Sequence, residues 1–249
     1  MHKFILLLLA LSLSNLSTSE AVSRGTYDVK IQKYLKDLPS KIAEAQPTKD
    51  SFVLEVLDPL DRALHCALRQ KMWIKAPLQR VVSVIDDIAH YQNLYFDFNE
   101  VRLVNRNGNR FSIYWEQESG IFFVANTWYQ LIYDIFQETP ERKIYTYSLH
   151  DSNRLEFLDG VFIAEADGTG STYFWGFDSY SLQAGFGNSF VSEEKLLTEG
   201  IKGTFTVNYA LKMKAENPGL GYEKIRKMTE KGFREFGVEE LMRKPKQQW

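Results

Sequence analysis

Trp73–Val101, WIKAPLQRVVSVIDDIAHYQNLYFDFNEV, is the stretch whose reading decides the fold. It runs as the end of a strand, two short helices and the start of a new strand. Ala76-Pro77 stops the first strand, because proline has no N–H to give to a ladder. Leu78 to Ile85 then places Val81, Val82 and Ile85 at helical spacing, and Asp87 to Tyr95 forms a second short helix. Both are too short to persist alone in water, so they must pack on something larger.

Downstream the period changes from helical to two. Phe111, Ile113 and Trp115 alternate with Ser112, Tyr114 and Glu116, and Asn107-Gly108 separates this run from Val101–Val104 as a tight hairpin. Asn126–Glu138 carries Tyr129, Leu131, Tyr133 and Ile135 on one face and ends at Thr139-Pro140-Glu141. Lys143–Leu149, Leu155–Ala166 and Ser171–Tyr180 follow, the last two joined by Asp167-Gly168-Thr169-Gly170. With Ala67–Lys75 in front, this makes about seven strands. Apart from the two-helix crossover they connect by short hairpins, which implies an antiparallel sheet.

The loop Leu182–Val191 contains Gly185 and Gly187 and leads to an expected helix cap at Ser192, with Glu193 and Glu194 in the first turn. This helix should reach about Ala215, before Asn217-Pro218-Gly219. Its apolar face is drawn through Leu197, Ile201, Phe205, Asn208 and Leu211. Thr204, Thr206 and Val207 are weak helix formers, so burial must hold it. The fold class is therefore α+β: a curved antiparallel sheet of about seven strands wrapped around a long C-terminal helix, with two short helices after the first strand.

Ile74-Lys75-Ala76-Pro77, then Val81, Val84, Asp87, Tyr91 and Val101, resembles the opening of the START-like superfamily, also called the polyketide cyclase, coenzyme Q-binding or birch-pollen-allergen family. The similarity continues through the two strands flanking Gly168-Thr169-Gly170 and the helix after Ser192, covering roughly residues 62–216. The resemblance implies a helix-grip fold with a cavity for a lipid, quinone, sterol or polyketide. It does not fix a chemistry, since one fold hosts many functions.

The ends depart from that pattern. Residues 1–21 carry a short cationic start, an apolar run from Phe4 to Leu11 and a small polar end, as in a secretory signal peptide; cleavage is expected after Ala21. A retained membrane anchor is the alternative, but the apolar run is short of a span. Residues 22–61 read as an N-terminal helical extension, with Ile31, Leu35, Leu38 and Ile42 on one face, interrupted by Pro39. That face covers either the main domain or a partner. Residues 217–249 form a helical tail, amphipathic over Tyr222–Met242. From Lys212 onward ten basic residues stand against six acids, either a solvated face or a contact to anionic membrane.

Overall the charge is balanced, 30 Lys plus Arg against 32 Asp plus Glu, which excludes a dedicated nucleic-acid binder. Cys66 is the only cysteine, so no internal disulfide forms; export without disulfides fits a bacterial periplasm.

Aromatic residues are concentrated in the strands. Alternation nominates Trp115, Tyr129, Tyr133, Tyr145, Tyr147, Phe157, Trp175 and Phe177 for the concave face, with Ile201 and Phe205 from the helix; filling a core is the plainer role for the same residues. Asp159, between Phe157 and Val161, is either a buried acid that anchors a ligand hydroxyl or a residue turned to water by a bulge at Gly160. Asn208 is the better polar anchor, because an amide orients a carbonyl or hydroxyl without burying charge; a bond to a neighbouring backbone group is the alternative. Trp128 and Phe136 point outward.

Asp86, Asp87 and His90 sit at helical spacing but lack a second histidine, so no metal is expected. His65-Cys66 has no assignable base. No hydrolase elbow, zinc-protease, phosphate-loop or complete dinucleotide motif occurs, and no cofactor is expected. These features describe an exported, non-enzymatic protein that holds a hydrophobic small molecule between sheet and helix. The alternatives are a cyclase or aromatase acting through Asp159 or a cavity tyrosine, and a membrane-surface interaction module.

Overall fold

The alternating segments build one antiparallel sheet, seen in a computed structural model that describes residues 52–58, 65–118, 126–182 and 193–235. Its strands are β1 (Phe52–Asp58), β2 (His65–Ile74), β3 (Phe98–Asn107), β4 (Arg110–Gln117), β5 (Thr127–Glu138), β6 (Arg142–Ser152), β7 (Leu155–Ala166) and β8 (Thr172–Leu182). Helix α1 (Leu78–Asp86), a 3-10 turn (Ile88–His90) and α2 (Tyr91–Leu94) carry the chain from β2 to β3. The long helix α3 (Glu193–Glu216) and then α4 (Tyr222–Glu235) follow β8. Strand order is β1-β2-β8-β7-β6-β5-β4-β3, so the crossover spans the sheet and β8 returns to pair with β2.

The seven expected strands are all present, and an eighth, β1, pairs with β2 at the edge. It falls within residues 22–61, which were expected to be helical. Phe52–Asp58, FVLEVLD, has no clean alternation, and an edge strand does not require one. The signal peptide, the Ile31–Ile42 face, the Gly185–Gly187 loop and the Ser192 cap lie outside the described residues. The hairpin glycines act as expected: Gly108 at φ 59°, and Gly168 and Gly170 at φ 76° and 93°, occupy backbone conformations that side-chain-bearing residues rarely adopt.

Cross-strand pairing sorts the side chains into two faces. The inner face carries Leu68, Gln70 and Met72 from β2, Phe174 and Asp178 from β8, Phe162 from β7, Tyr145 and Tyr147 from β6, Tyr133 from β5 and Phe111 from β4. The outer face carries a second apolar cluster of Ala67, Ile144, Val161, Ile163, Trp175 and Phe177, all buried. Strands β7 and β8 are thus apolar on both sides.

Helix α3 lies over the inner face, tied to β2 by polar contacts. Asn208 Nδ2 donates to Gln70 Oε1 at 2.5 Å, Lys212 Nζ donates to the Trp73 carbonyl at 2.7 Å and pairs with Glu216, and Glu216 Oε1 accepts the Lys75 N–H at 2.9 Å. Ile201 and Phe205, both fully buried, lie on a different side of α3. The Phe205 ring stands 5.6 Å from Phe233 of α4.

Helix α1 is fixed from its end. Lys143, only 4% exposed, reaches Asp86 at 3.0 Å, and the Tyr145 hydroxyl donates to the same carboxylate at 3.2 Å. Glu138 stands 3.3 Å from Lys143 on the other side. Losing one partner leaves a buried cation poorly compensated. Asp86→Ala is expected to lower the unfolding free energy by about 2 kcal/mol in urea titrations, and Lys143→Met in the same background to restore part of it.

Candidate ligand cavity

Between α3 and the inner face of the sheet lies a cavity of about 210 Å³. Its wall is a run of rings. Phe111 stacks on Tyr133 at 5.1 Å, Tyr133 contacts Tyr147 at 5.2 Å, and Tyr147 leads to Phe162 at 6.1 Å and on to Phe174 at 5.7 Å. The crossover contributes from the other end: Tyr91, Tyr95 and Phe98 gather around Trp115 at 5.8, 5.9 and 5.2 Å. The Tyr91 hydroxyl donates to the Ile85 carbonyl, which fixes that ring against α1. The stretch that decides the fold therefore also builds one end of the cavity.

The helix side is lined differently, by Gly200, Gly203, Thr204, Val207, Asn208 and Leu211. These recur three and four apart, a single stripe along α3. It is offset from the expected stripe: Ile201 and Phe205 are buried but do not line the cavity, a correction to the expectation that they would. Large apolar residues mark where α3 is packed solid. At Gly200 the missing side chain admits the Tyr180 hydroxyl, which a Cβ would overlap.

One polar cluster interrupts this surface. Asp178, on β8, faces inward and is 7% exposed. Burial pushes its carboxyl up to about 7, offset only in part by the Thr204 hydroxyl, which donates to Oδ2 at a long 3.4 Å. Beside it stand Asn208 and Gln70, joined to each other, and Asn208 also donates to the Thr204 carbonyl at 2.8 Å. Burial raises the hydroxyl pKa of Tyr129 and Tyr133, and the Asp178 charge adds to the rise in each. Their phenols stay protonated, available as donors.

At the rim, Gln117, Glu118, Thr127 and Arg154 are exposed or half-buried. Gln117 donates to Asp97 at 2.8 Å, and Lys202 of α3 pairs with the same carboxylate. Burial raises the Asp97 pKa, with the Lys202 contact opposing it.

Of the residues nominated from sequence, the structure places Trp115, Tyr129, Tyr133, Tyr147 and Asn208 in the cavity lining. Tyr145 shares the inner face but is fully buried, occupied with Asp86 and stacked on Phe162 at 4.5 Å. Phe157, Asp159, Trp175 and Phe177 are corrected to the opposite face. Phe157 pairs with Ser181, Asp159 with Ser179, Val161 with Phe177 and Ile163 with Trp175, all on the outer side. Asp159 is 3% exposed there, neither in the cavity nor turned to water, and the bulge in β7 falls between Leu155 and Phe157 instead. Sequence reading missed Asp178, Gln70, Arg154 and the glycine stripe. An acid two residues from Tyr180 and four from Phe174 was the available signal for Asp178.

The other candidates are engaged elsewhere. His90 Nδ1 lies 2.6 Å from Asp87 and its ring stacks on Tyr222 at 5.0 Å. On α4, Lys227, Lys231 and Arg234 pair with Glu223, Glu235 and Glu230, while Arg226 donates to the Phe96 carbonyl at 3.1 Å. Trp128 is half-buried against Tyr114 at 6.1 Å, and Phe136 is 66% exposed.

No family model matches the chain, and no curated protein sequence matches it. Solved structures do match. A protein from Thermus thermophilus superposes with a TM-score of 0.52 at 12% identity, covering 62% of this chain and 99% of that one. A STAR-related lipid transfer protein fragment from Xanthomonas axonopodis superposes at 0.53 and 11% identity, covering 67% of this chain and 94% of that one. The chain has the START-like helix-grip fold.

The raised Asp178 pKa fixes the sign of a pH effect. Between about 4 and 7 the folded chain holds a proton on Asp178 that the unfolded chain has released, so this group lowers stability as pH rises through that window. Asp178→Asn is expected to raise the Tm at pH 8, with the gain shrinking toward zero near pH 4, in thermal melts of ligand-free protein.

Proposed function

We propose that this protein binds or carries a hydrophobic small molecule in the cavity between the sheet and α3. The observation that carries this is a ring-lined void of about 210 Å³ provided with a single polar cluster, Asp178, Gln70 and Asn208. A protein interior is normally packed to crystal density, and leaving this volume empty forfeits dispersion contacts along its whole wall. An apolar cavity of about 150 Å³ already accepts a benzene-sized molecule, so the space suits a ring or a single chain rather than a two-chain lipid. The likeness to a STAR-related lipid transfer protein is consistent with that use of the fold. The apolar run Phe4–Leu11 supports export, and the lack of a cysteine pair supports a bacterial periplasm as the destination.

A second reading is favoured by one observation. A carboxyl that titrates near neutrality inside a cavity, with phenols nearby, is suited to moving a proton on a bound polyketide-like substrate. In that reading Asp178 takes the role expected of Asp159. Asp178→Asn would then abolish turnover and leave retention of the bound molecule intact, whereas a pure carrier has no turnover to lose.

Saturable binding of the neutral dye Nile red is expected at one molecule per chain. Val207→Trp, which fills the cavity from α3, should weaken it at least ~10-fold with the Tm retained. Native mass spectrometry of gently purified protein, followed by solvent extraction, should recover an apolar species from wild type. No saturable dye binding together with no extractable species would overturn the carrier reading.

A further inference from the structure

We propose that the molecule held in the cavity is an elongated amphiphile with one anionic group, a carboxylate or phosphate, paired with Arg154 at the cavity rim. This rests on the carrier reading above and specifies its cargo.

Arg154 sits in the turn between β6 and β7 and lines the cavity. The turn is built to hold it. Ser152 Oγ accepts the N–H of Arg154 at 3.1 Å and of Leu155 at 3.0 Å, and donates to the Trp128 carbonyl at 2.8 Å. Asn153 bonds to β5 and the residue before it, accepting the Trp128 N–H at 3.0 Å and donating to the Asn126 carbonyl at 2.9 Å. The guanidinium at the end of this scaffold is half-buried, and no carboxylate among the described residues pairs with it. Burial alone lowers its pKa, with no opposing charge. Lys202 of α3, in contrast, is paired with Asp97. Glu118 shares the rim but is exposed and forms no ion pair with Arg154. A partly desolvated guanidinium with five donors and no ion pair among the described residues matches a planar carboxylate or a phosphate.

The second polar point sets the cargo's shape. Gly160, opposite Asp178 in the register, is six residues along β7 from Arg154, ~20 Å of strand before the reach of the arginine is subtracted. Between the two points the wall is Leu155, Leu158 and Tyr180, and Phe162 and Phe174 continue it beyond Asp178. The occupant is therefore charged at the rim, apolar through its length and able to meet a hydroxyl or amide at its inner end.

Dodecanoate, dodecyl phosphate and 1-dodecanol, each below its micellar concentration, are titrated at pH 8 against Nile red on the full chain. Wild type is expected to bind at least one of the two anions ~10-fold or more tightly than 1-dodecanol, with the preference falling as salt rises. The tighter anion tells carboxylate from phosphate. Arg154→Gln should remove the preference and leave dodecanol and dye affinity within about twofold, and Arg154→Lys should keep part of it. Equal affinity of wild type for all three probes, or an undiminished anion preference in Arg154→Gln, overturns the proposal and leaves the carrier reading standing. Failure of every probe and of the dye overturns both.

Discussion

The attachment of α3 to β2 is the constraint on which the interior depends. Lys212, Glu216 and Asn208 fasten the C-terminal half of the helix to the Trp73 carbonyl, the Lys75 N–H and Gln70. Because these contacts run through long side chains, the helix axis is held off the sheet instead of settling onto it. Along the same helix the inward stripe is glycine at 200 and 203, where Tyr180 and Gln117 approach the backbone, and only Thr204, Val207, Asn208 and Leu211 project from that side. The void lies between these polar contacts at one end and the close approach of Tyr180 to Gly200 at the other.

The crossover α1–α2 supports that arrangement from beneath. Its short helices are unstable by length, and they persist because Lys143 and Tyr145 grip Asp86 while Tyr91 and Tyr95 join the ring cluster around Trp115. A buried cation bonded to a carboxylate is a weak source of net stability but a strong selector of position. Here it sets where Tyr91 and Tyr95 meet the cavity.

Much of the architecture was legible in the residues. The change from helical to alternating period, the Asn107-Gly108 hairpin and the Pro77 stop give the strand sequence, because each follows from local backbone chemistry. The inward face was not legible on β7 and β8. Phe174, Trp175 and Phe177 are all buried, so alternation of apolar and polar residues, which normally distinguishes core from solvent, carries no information there. On α3 the failure had the opposite origin. Hydrophobicity marks surfaces that are packed, and Ile201 and Phe205 were found by it, whereas the stripe beside the cavity mixes Gly200, Gly203, Thr204 and Asn208 with Val207 and Leu211 and carries no single hydrophobic signature. Asn208 was found because a lone amide on an apolar helix face needs a partner, and Gln70 supplies it.

The two glycines of α3 have a bearing on timing. Each costs a helix about 1 kcal/mol relative to alanine, so the turn that carries Gly200 and Gly203 is weaker than the fastened half beyond Asn208. It stands beside the rim, next to Gln117 and Tyr180. This turn is therefore the part of the fastened helix that opens at least cost, with the eight-stranded sheet left intact. Local stability along α3 thus falls toward the rim and rises toward Lys212 and Glu216, so the two ends of one helix differ in how readily they come apart.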